Sequence, residues 1–332
     1  MKEAMFWKKE KDSVRCLLCP RNCLIKGGSV GFCGVRQNQD GRLYSLVYAK
    51  PASIAVDPIE KKPFYHFLPG SSALSIGTVG CNLACQFCQN WTLSCARPED
   101  TDVSETVQPE EIVAMAKKQG CPVIAYTYNE PTIFYEYMLD TAKLARKAGL
   151  KNVIVSNGYI EQEPLKELCK HIDAANIDLK AFSNEFYSKY TGAKLQPVLD
   201  TLKTLKEEGV WLEITNLVIP TLNDNMEGIE QMCKWIKENL GQAVLHFSRF
   251  FPHHKLNNLP PTPPQTLDRA RKIALKYLDH VYVGNIQTEA NNTYCPKCKK
   301  LLIERQWFTP SLNEIKDSRC PDCKTEIPGV WK

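Results

Sequence analysis

The chain has 332 residues, 43% of them hydrophobic and 24% charged, with a net charge of +5. That length suits one large α/β domain with small appendages and exceeds a typical single core, and the charge excess is too small to argue for a nucleic-acid or membrane partner. No apolar run approaches the roughly 18–20 residues of a membrane span, and the opening MKEAMFWKKEKD lacks the apolar stretch of a secretory leader, which predicts a cytoplasmic protein.

Residues 1–71 open with Cys16, Cys19, Cys23 and Cys33 among several glycines, a loop-rich stretch that needs a metal to fold. Pro51, Pro58, Pro63 and Pro69 then break the chain into short strands and loops. From residue 72 the pattern becomes strand and helix in alternation. ALSIGTV (73–79), PVIAYTY (122–128), NVIVS (152–156), AANIDLK (174–180), VWLEITNLVI (210–219), AVLHFSRF (243–250) and HVYVGNI (280–286) are apolar runs that predict buried strands. Between them, residues 109–119, 131–149, 163–172, 195–209, 226–240 and 264–278 carry helical spacing. Pro109 suits a first helical turn, and Gly149 and Gly209 stop their helices.

Such alternation predicts a parallel sheet with right-handed crossovers, either a full or partial (β/α) barrel or a doubly wound open sheet. In both, the ligand site lies at the C-terminal strand ends. A loop bearing Cys81, Cys85 and Cys88 follows the first strand. Tyr128-Asn129-Glu130-Pro131 follows the second, and Ser156-Asn157-Gly158 the third. Asp178 and Lys180 end the fourth, and His253 and His254 follow a later one. All these polar candidates fall on one rim.

Fifteen cysteines in a chain expected in a reducing compartment are informative, because clustered thiols there read as metal ligands. Eleven lie in three clusters. Cys95, Cys121, Cys169 and Cys233 are scattered and read as packing residues. Cys81, Cys85 and Cys88 form CxxxCxxC. Three thiolates suit an iron–sulfur cluster and leave one iron of a [4Fe-4S] cube without a protein ligand; a zinc knuckle is the alternative. Cys295, Cys298, Cys320 and Cys323 form CxxC…CxxC, a closed tetrahedral set for Zn²⁺ first and a lone iron second. For Cys16, Cys19, Cys23 and Cys33 the spacing permits Zn²⁺ or an auxiliary [4Fe-4S] cluster, with zinc the simpler reading.

The segments CLLCPRNC, GTVGCNLACQFCQNW and NIDLK resemble the radical S-adenosylmethionine (SAM) superfamily, most of all the radical SAM component of the AmmeMemoRadiSam system, over roughly residues 14–290. Ser156-Asn157-Gly158 and Asp178-Leu-Lys180 are similar to segments of pyruvate formate-lyase activating enzymes. The resemblance implies an α/β fold with a partial (β/α)6 TIM-like barrel over 72–290; the outer cysteine sets mark a Cys-rich metal-binding segment (1–71) before it and a zinc-ribbon-like module (291–332) after it. It implies a [4Fe-4S] cluster on Cys81, Cys85 and Cys88, with Phe87 near the adenine of SAM. Asn129 and Glu130 would meet the amino group, Lys180 and Asp178 would sit near the carboxylate and ribose, and Ser156 and Asn157 would belong to the same cofactor-binding set. His253 is a further SAM contact by the same analogy. Tyr128 and Asn129 replace the glycines of the family's GGEP-type motif, and Val155 stands where the activating enzymes have an Asp. The implied activity is reductive cleavage of SAM to methionine and a 5′-deoxyadenosyl radical that abstracts hydrogen from a protein or peptide. RNA or a small metabolite is the alternative substrate, and a non-enzymatic metal-bound adaptor the alternative role. The implied partners are a ferredoxin- or flavodoxin-type electron donor, a protein substrate and the other proteins of that system.

Overall fold

The computed structural model describes residues 1–101 and 106–332. Its centre is an eight-stranded sheet. Ser53–Pro58 forms one edge and pairs antiparallel with Ser72–Gly77. From there Val123–Tyr126, Lys151–Ser156, Ala174–Asp178, Trp211–Val218, Val244–Arg249 and His280–Gly284 follow, every pairing parallel. Strand order along the sheet is strand order along the chain. A doubly wound sheet reverses its order at a switch point, so the sequential order selects the barrel alternative. The barrel is open, since its two end strands do not pair.

The helices Pro109–Lys118, Tyr135–Lys147, Gln162–Cys169, Gln196–Glu207, Met226–Leu240 and Pro264–Ala274 connect successive strands. Each buries an apolar stripe; in Met226–Leu240 it is Ile229, Met232, Cys233, Ile236 and Leu240. The helix expected from 131 begins with a separate 3₁₀ turn, Pro131–Phe134, because the Glu130 side chain accepts from Thr132 N and starts the turn early. Cys121, Cys169 and Cys233 are buried as expected, but Cys95 is exposed. It follows the short helix Trp91–Ser94, which buries none of its residues, so no apolar surface covers the thiol.

Residues 1–50 form two small antiparallel sheets. A buried ion pair, Arg36 Nη2 to Glu136 Oε1 at 2.5 Å, ties them to the Tyr135–Lys147 helix, and Met5 N also donates to Glu136. At the other end of the chain, Thr293–Tyr294, Leu301–Gln306 and Thr309–Asn313 make a three-stranded ribbon. It docks on the end of the barrel opposite the predicted rim through Arg305, whose guanidinium donates to Tyr65 O, Asn291 O and Thr293 Oγ1. Beside it Glu213 accepts from Tyr65 N, His66 N and Trp211 Nε1 and pairs with His246.

Glu60 is fully buried, 3.9 Å from Arg305 Nε, and burial pushes its carboxyl up to about 7 from an ordinary 4.5 despite the guanidinium. Between those two values the folded chain holds a proton that the unfolded chain has lost. Stability from this group therefore falls as pH rises from 4.5 to 7. The slope integrates to about 3 kcal/mol. Between pH 4.5 and 7 the unfolding free energy of Glu60→Gln should rise by about 3 kcal/mol relative to that of the wild type; parallel pH profiles for the two proteins would contradict the assignment.

Candidate metal and cofactor site

The rim at the C-terminal strand ends is built from four loops. Gly77 ends the first parallel strand, and the chain turns through Thr78–Gly80 into Cys81. Asn129, at the tip of the next strand, holds that turn: its Oδ1 accepts from Thr78 N at 3.2 Å and its Nδ2 donates to Gly80 O at 2.8 Å. Tyr128, in place of a glycine, sits at φ 73°, and its hydroxyl donates to Asp57 at 2.8 Å. A left-handed tyrosine is strained. The anchored hydroxyl and the bond from Asn90 Nδ2 to Tyr128 O hold it there.

Glu130 is the hub of the rim and has no exposed surface. Its Oε1 accepts from Thr132 N (3.0 Å), Thr132 Oγ1 (2.7 Å) and Ser156 Oγ (2.8 Å), and its Oε2 from Asn157 N (2.8 Å). Burial pushes the carboxyl up while these donors pull it back. One side chain thus joins the tips of two adjacent strands. Glu130→Ala would orphan four buried donors, at about 1–3 kcal/mol for each left unsatisfied. We expect a loss of at least about 3 kcal/mol, read as a lower urea midpoint; an unchanged midpoint would refute the hub.

Asn157 carries the connection to sulfur. Its Nδ2 lies 3.8 Å from Cys81 Sγ and donates to Asn82 Oδ1 at 2.9 Å. Asn82 is buried inside the CxxxCxxC loop, donates to Tyr159 O and accepts from Arg21 Nε. Its role was not legible beforehand, although its place between two cysteines was the available signal. On the far side Lys180 Nζ sits 3.0 Å from Asp178 Oδ2 and 5.7 Å from the centre of the Phe87 ring. Burial works against the Lys180 charge, but Asp178 and the Cys85 sulfur hold its pKa above the ordinary lysine value. Phe87 is buried against Phe186.

Cys81, Cys85, Phe87, Asn129, Glu130, Ser156, Asn157, Asp178 and Lys180 are therefore joined by contacts running through one rim, with Cys88 on the same loop. His253 is exposed. Its turn is fastened to the cysteine loop by backbone bonds from Lys255 N and Leu256 N to Gln86 O, while the neighbouring His254 stacks on Trp91.

The three cysteine sets differ in spacing. Among the described residues, the one group of three or more His, Cys, Asp or Glu ligand atoms lying within 4.8 Å of one another is Cys295, Cys298, Cys320 and Cys323. Two Sγ–Sγ distances there are 3.4 and 3.6 Å. A tetrahedral ion with 2.3 Å metal–sulfur bonds spaces its sulfurs about 3.8 Å apart, so this set fits one ion. Its two knuckles match: Cys295 N bonds Lys300 O and Lys299 N bonds Cys295 O, as Cys320 N bonds Thr325 O and Lys324 N bonds Cys320 O. Cys81, Cys85 and Cys88 stand wider apart. Burial pushes the Cys85 thiol up to about 12 and Cys81 well above its ordinary value. Three wide-set sulfurs on one loop fit a multi-iron cluster, and loading one would release their protons.

A family model described as the radical SAM superfamily matches residues 75–236. An uncharacterised protein of Methanocaldococcus jannaschii is 47% identical over 336 residues, covering 99% of this chain and all of its own. The pyruvate formate-lyase-activating enzyme of Clostridium pasteurianum is 26% identical over 182 residues, 53% of this chain and 73% of that one. In fold, the chain is similar to Streptococcus suis SuiB bound to S-adenosylmethionine, with a TM-score of 0.53 at 14% identity over 72% of this chain and 56% of that one. Among the described residues, no helix is long and apolar enough to cross a membrane.

Proposed function

The chain belongs to the radical SAM superfamily, and from that premise we propose that it cleaves SAM reductively and takes a hydrogen atom from a protein or peptide. The observation that carries the reading is the loop of Cys81, Cys85 and Cys88 at the first parallel strand end, ringed by the hydrogen-bonded tips of the next three strands. When bound, a [4Fe-4S] cluster with one open iron supplies the electron that splits SAM into methionine and a 5′-deoxyadenosyl radical.

The residues around it have separable tasks. Lys180 offsets the SAM carboxylate, and Asp178 sets the lysine and meets the ribose. Phe87 offers an apolar face to the adenine. Asn157 and Ser156 brace the rim, Asn157 between Cys81 and Asn82 and Ser156 on Glu130. Glu130 fixes the rim through its four hydrogen bonds. Asn129 positions the cysteine loop. The C-terminal four-cysteine set takes Zn²⁺ as a structural ion, because it is closed and has no open position. The protein substrate is supported by the similarity to an enzyme that activates another enzyme.

With SAM, dithionite and candidate partner proteins deuterated at glycine, the loaded protein is expected to transfer deuterium into 5′-deoxyadenosine. Transfer from RNA or a small metabolite, with none from protein, would overturn the substrate class and leave the cleavage reaction standing.

A further inference from the structure

We propose that Cys16, Cys19, Cys23 and Cys33 hold a second, fully cysteine-ligated [4Fe-4S] cluster packed against the Cys81 loop. The reading goes beyond the SAM chemistry and does not depend on it.

Spacing is the first argument. No three of these four sulfurs lie within 4.8 Å of one another, whereas the C-terminal four all do. A single ion draws its thiolates to about 3.8 Å. An iron–sulfur cube, which puts an iron under each thiolate, holds them farther apart. The four cysteines surround a cavity rather than a point, and Arg21 and Arg36 share its lining.

Unpaired donors are the second argument. Arg36 Nε and Arg21 Nη2 are both buried and without a hydrogen-bond partner. Arg36 spends its other nitrogens on Glu136 and Met5 O, and Arg21 spends Nε on Asn82 O. An orphaned buried donor is costly, more so on a charged group. Two such donors beside four thiols suit an anionic core whose bridging sulfides accept hydrogen bonds. The Arg21 guanidinium also lies 3.8 Å over the ring of Phe32, which lines the same cavity.

Position is the third. Asn82 lines this cavity and follows Cys81 directly in the chain. Gly80, at φ 86°, lies so close that a methyl there would sit 2.5 Å from Cys33 O. The two cysteine loops thus touch through backbone. With every iron ligated by protein, electron exchange is the chemistry such a cluster retains.

The test removes the first site to see the second. The triple variant Cys81→Ala/Cys85→Ala/Cys88→Ala, reconstituted anaerobically with iron and sulfide, is expected to keep about half the wild-type iron with an equal amount of labile sulfide, and the Mössbauer doublet of a [4Fe-4S] cluster. Because that variant could misfold, Cys19→Ala/Cys33→Ala is the reciprocal: its iron is expected to fall by about half while the SAM-site signal stays. In the fully reduced wild type the two paramagnets should broaden each other's EPR lines, and each variant should show one isolated signal. A triple variant that takes up a second zinc beyond the C-terminal ion, or that holds neither iron nor sulfide while folded, would overturn the proposal, as would unchanged iron in the reciprocal variant.

Discussion

Cys88→Ala, loaded with iron and sulfide and reduced with dithionite, is expected to release 5′-deoxyadenosine from SAM at no more than the protein-free rate. The loop that carries the residue is held by other groups: Ala84 N and Gln86 N bond the Tyr190–Thr191 turn, Asn129 holds Gly80, and Asn82 holds Tyr159. The backbone should therefore survive, and the loss should be of cluster ligation alone. Lys180→Gln makes the contrast. It keeps all three sulfurs and removes the cation that faces Asp178 and Cys85. Its iron content should match wild type while the apparent affinity for SAM falls on the order of tenfold, the equivalent of about 1.4 kcal/mol. A Cys88→Ala protein that still cleaves SAM would place the cluster elsewhere.

Cys320→Ser should unfold the C-terminal ribbon. Its core consists of Cys295, Leu302, Ile303, Cys320 and Ile327. Three aliphatic side chains are too small a core to order a module of some forty residues unaided, so the ribbon needs the ion its four thiols would hold, together with the docking contacts of Arg305. Limited proteolysis of the variant should cut within 291–332 at least about tenfold faster than in wild type, with zinc content near zero. A zinc-free variant that resists cleavage as wild type does would contradict a structural ion here.

Much of this architecture was legible because strand and helix differ in period. The seven parallel strands fall within the apolar runs or a residue outside them, and the Met226–Leu240 helix has the expected bounds. Strand order could not be read locally, since apolar runs look alike whichever neighbour they pair with, so barrel and doubly wound sheet stayed open until the sequential order was seen. The rim was legible for a related reason: in a parallel sheet every strand's C-terminal end faces one way, so Asn129, Asn157 and Lys180 had to share an edge. Less visible was what each does to its neighbours. A carboxylate after a strand reads as a ligand contact. That Glu130 takes four donors from two loops depends on the distance between strand tips, which no single stretch of sequence encodes. The Arg305–Tyr65 docking spans 240 residues and is equally unreadable from either partner. Cysteine spacing showed that four thiols could meet, but their breadth of separation, which tells a cube from a single ion, is a property of the fold around them.

The central claim is that three sulfurs leave one iron open for SAM. The most direct test is the EPR spectrum of the anaerobically reconstituted, reduced protein before and after SAM is added. Ligation of the open iron by the amino and carboxylate groups of SAM should shift the g values of the reduced cluster, and the shift should vanish in Cys88→Ala. A signal that stays identical with saturating SAM would mean that protein already fills the fourth position, and the catalytic site proposed here would not exist.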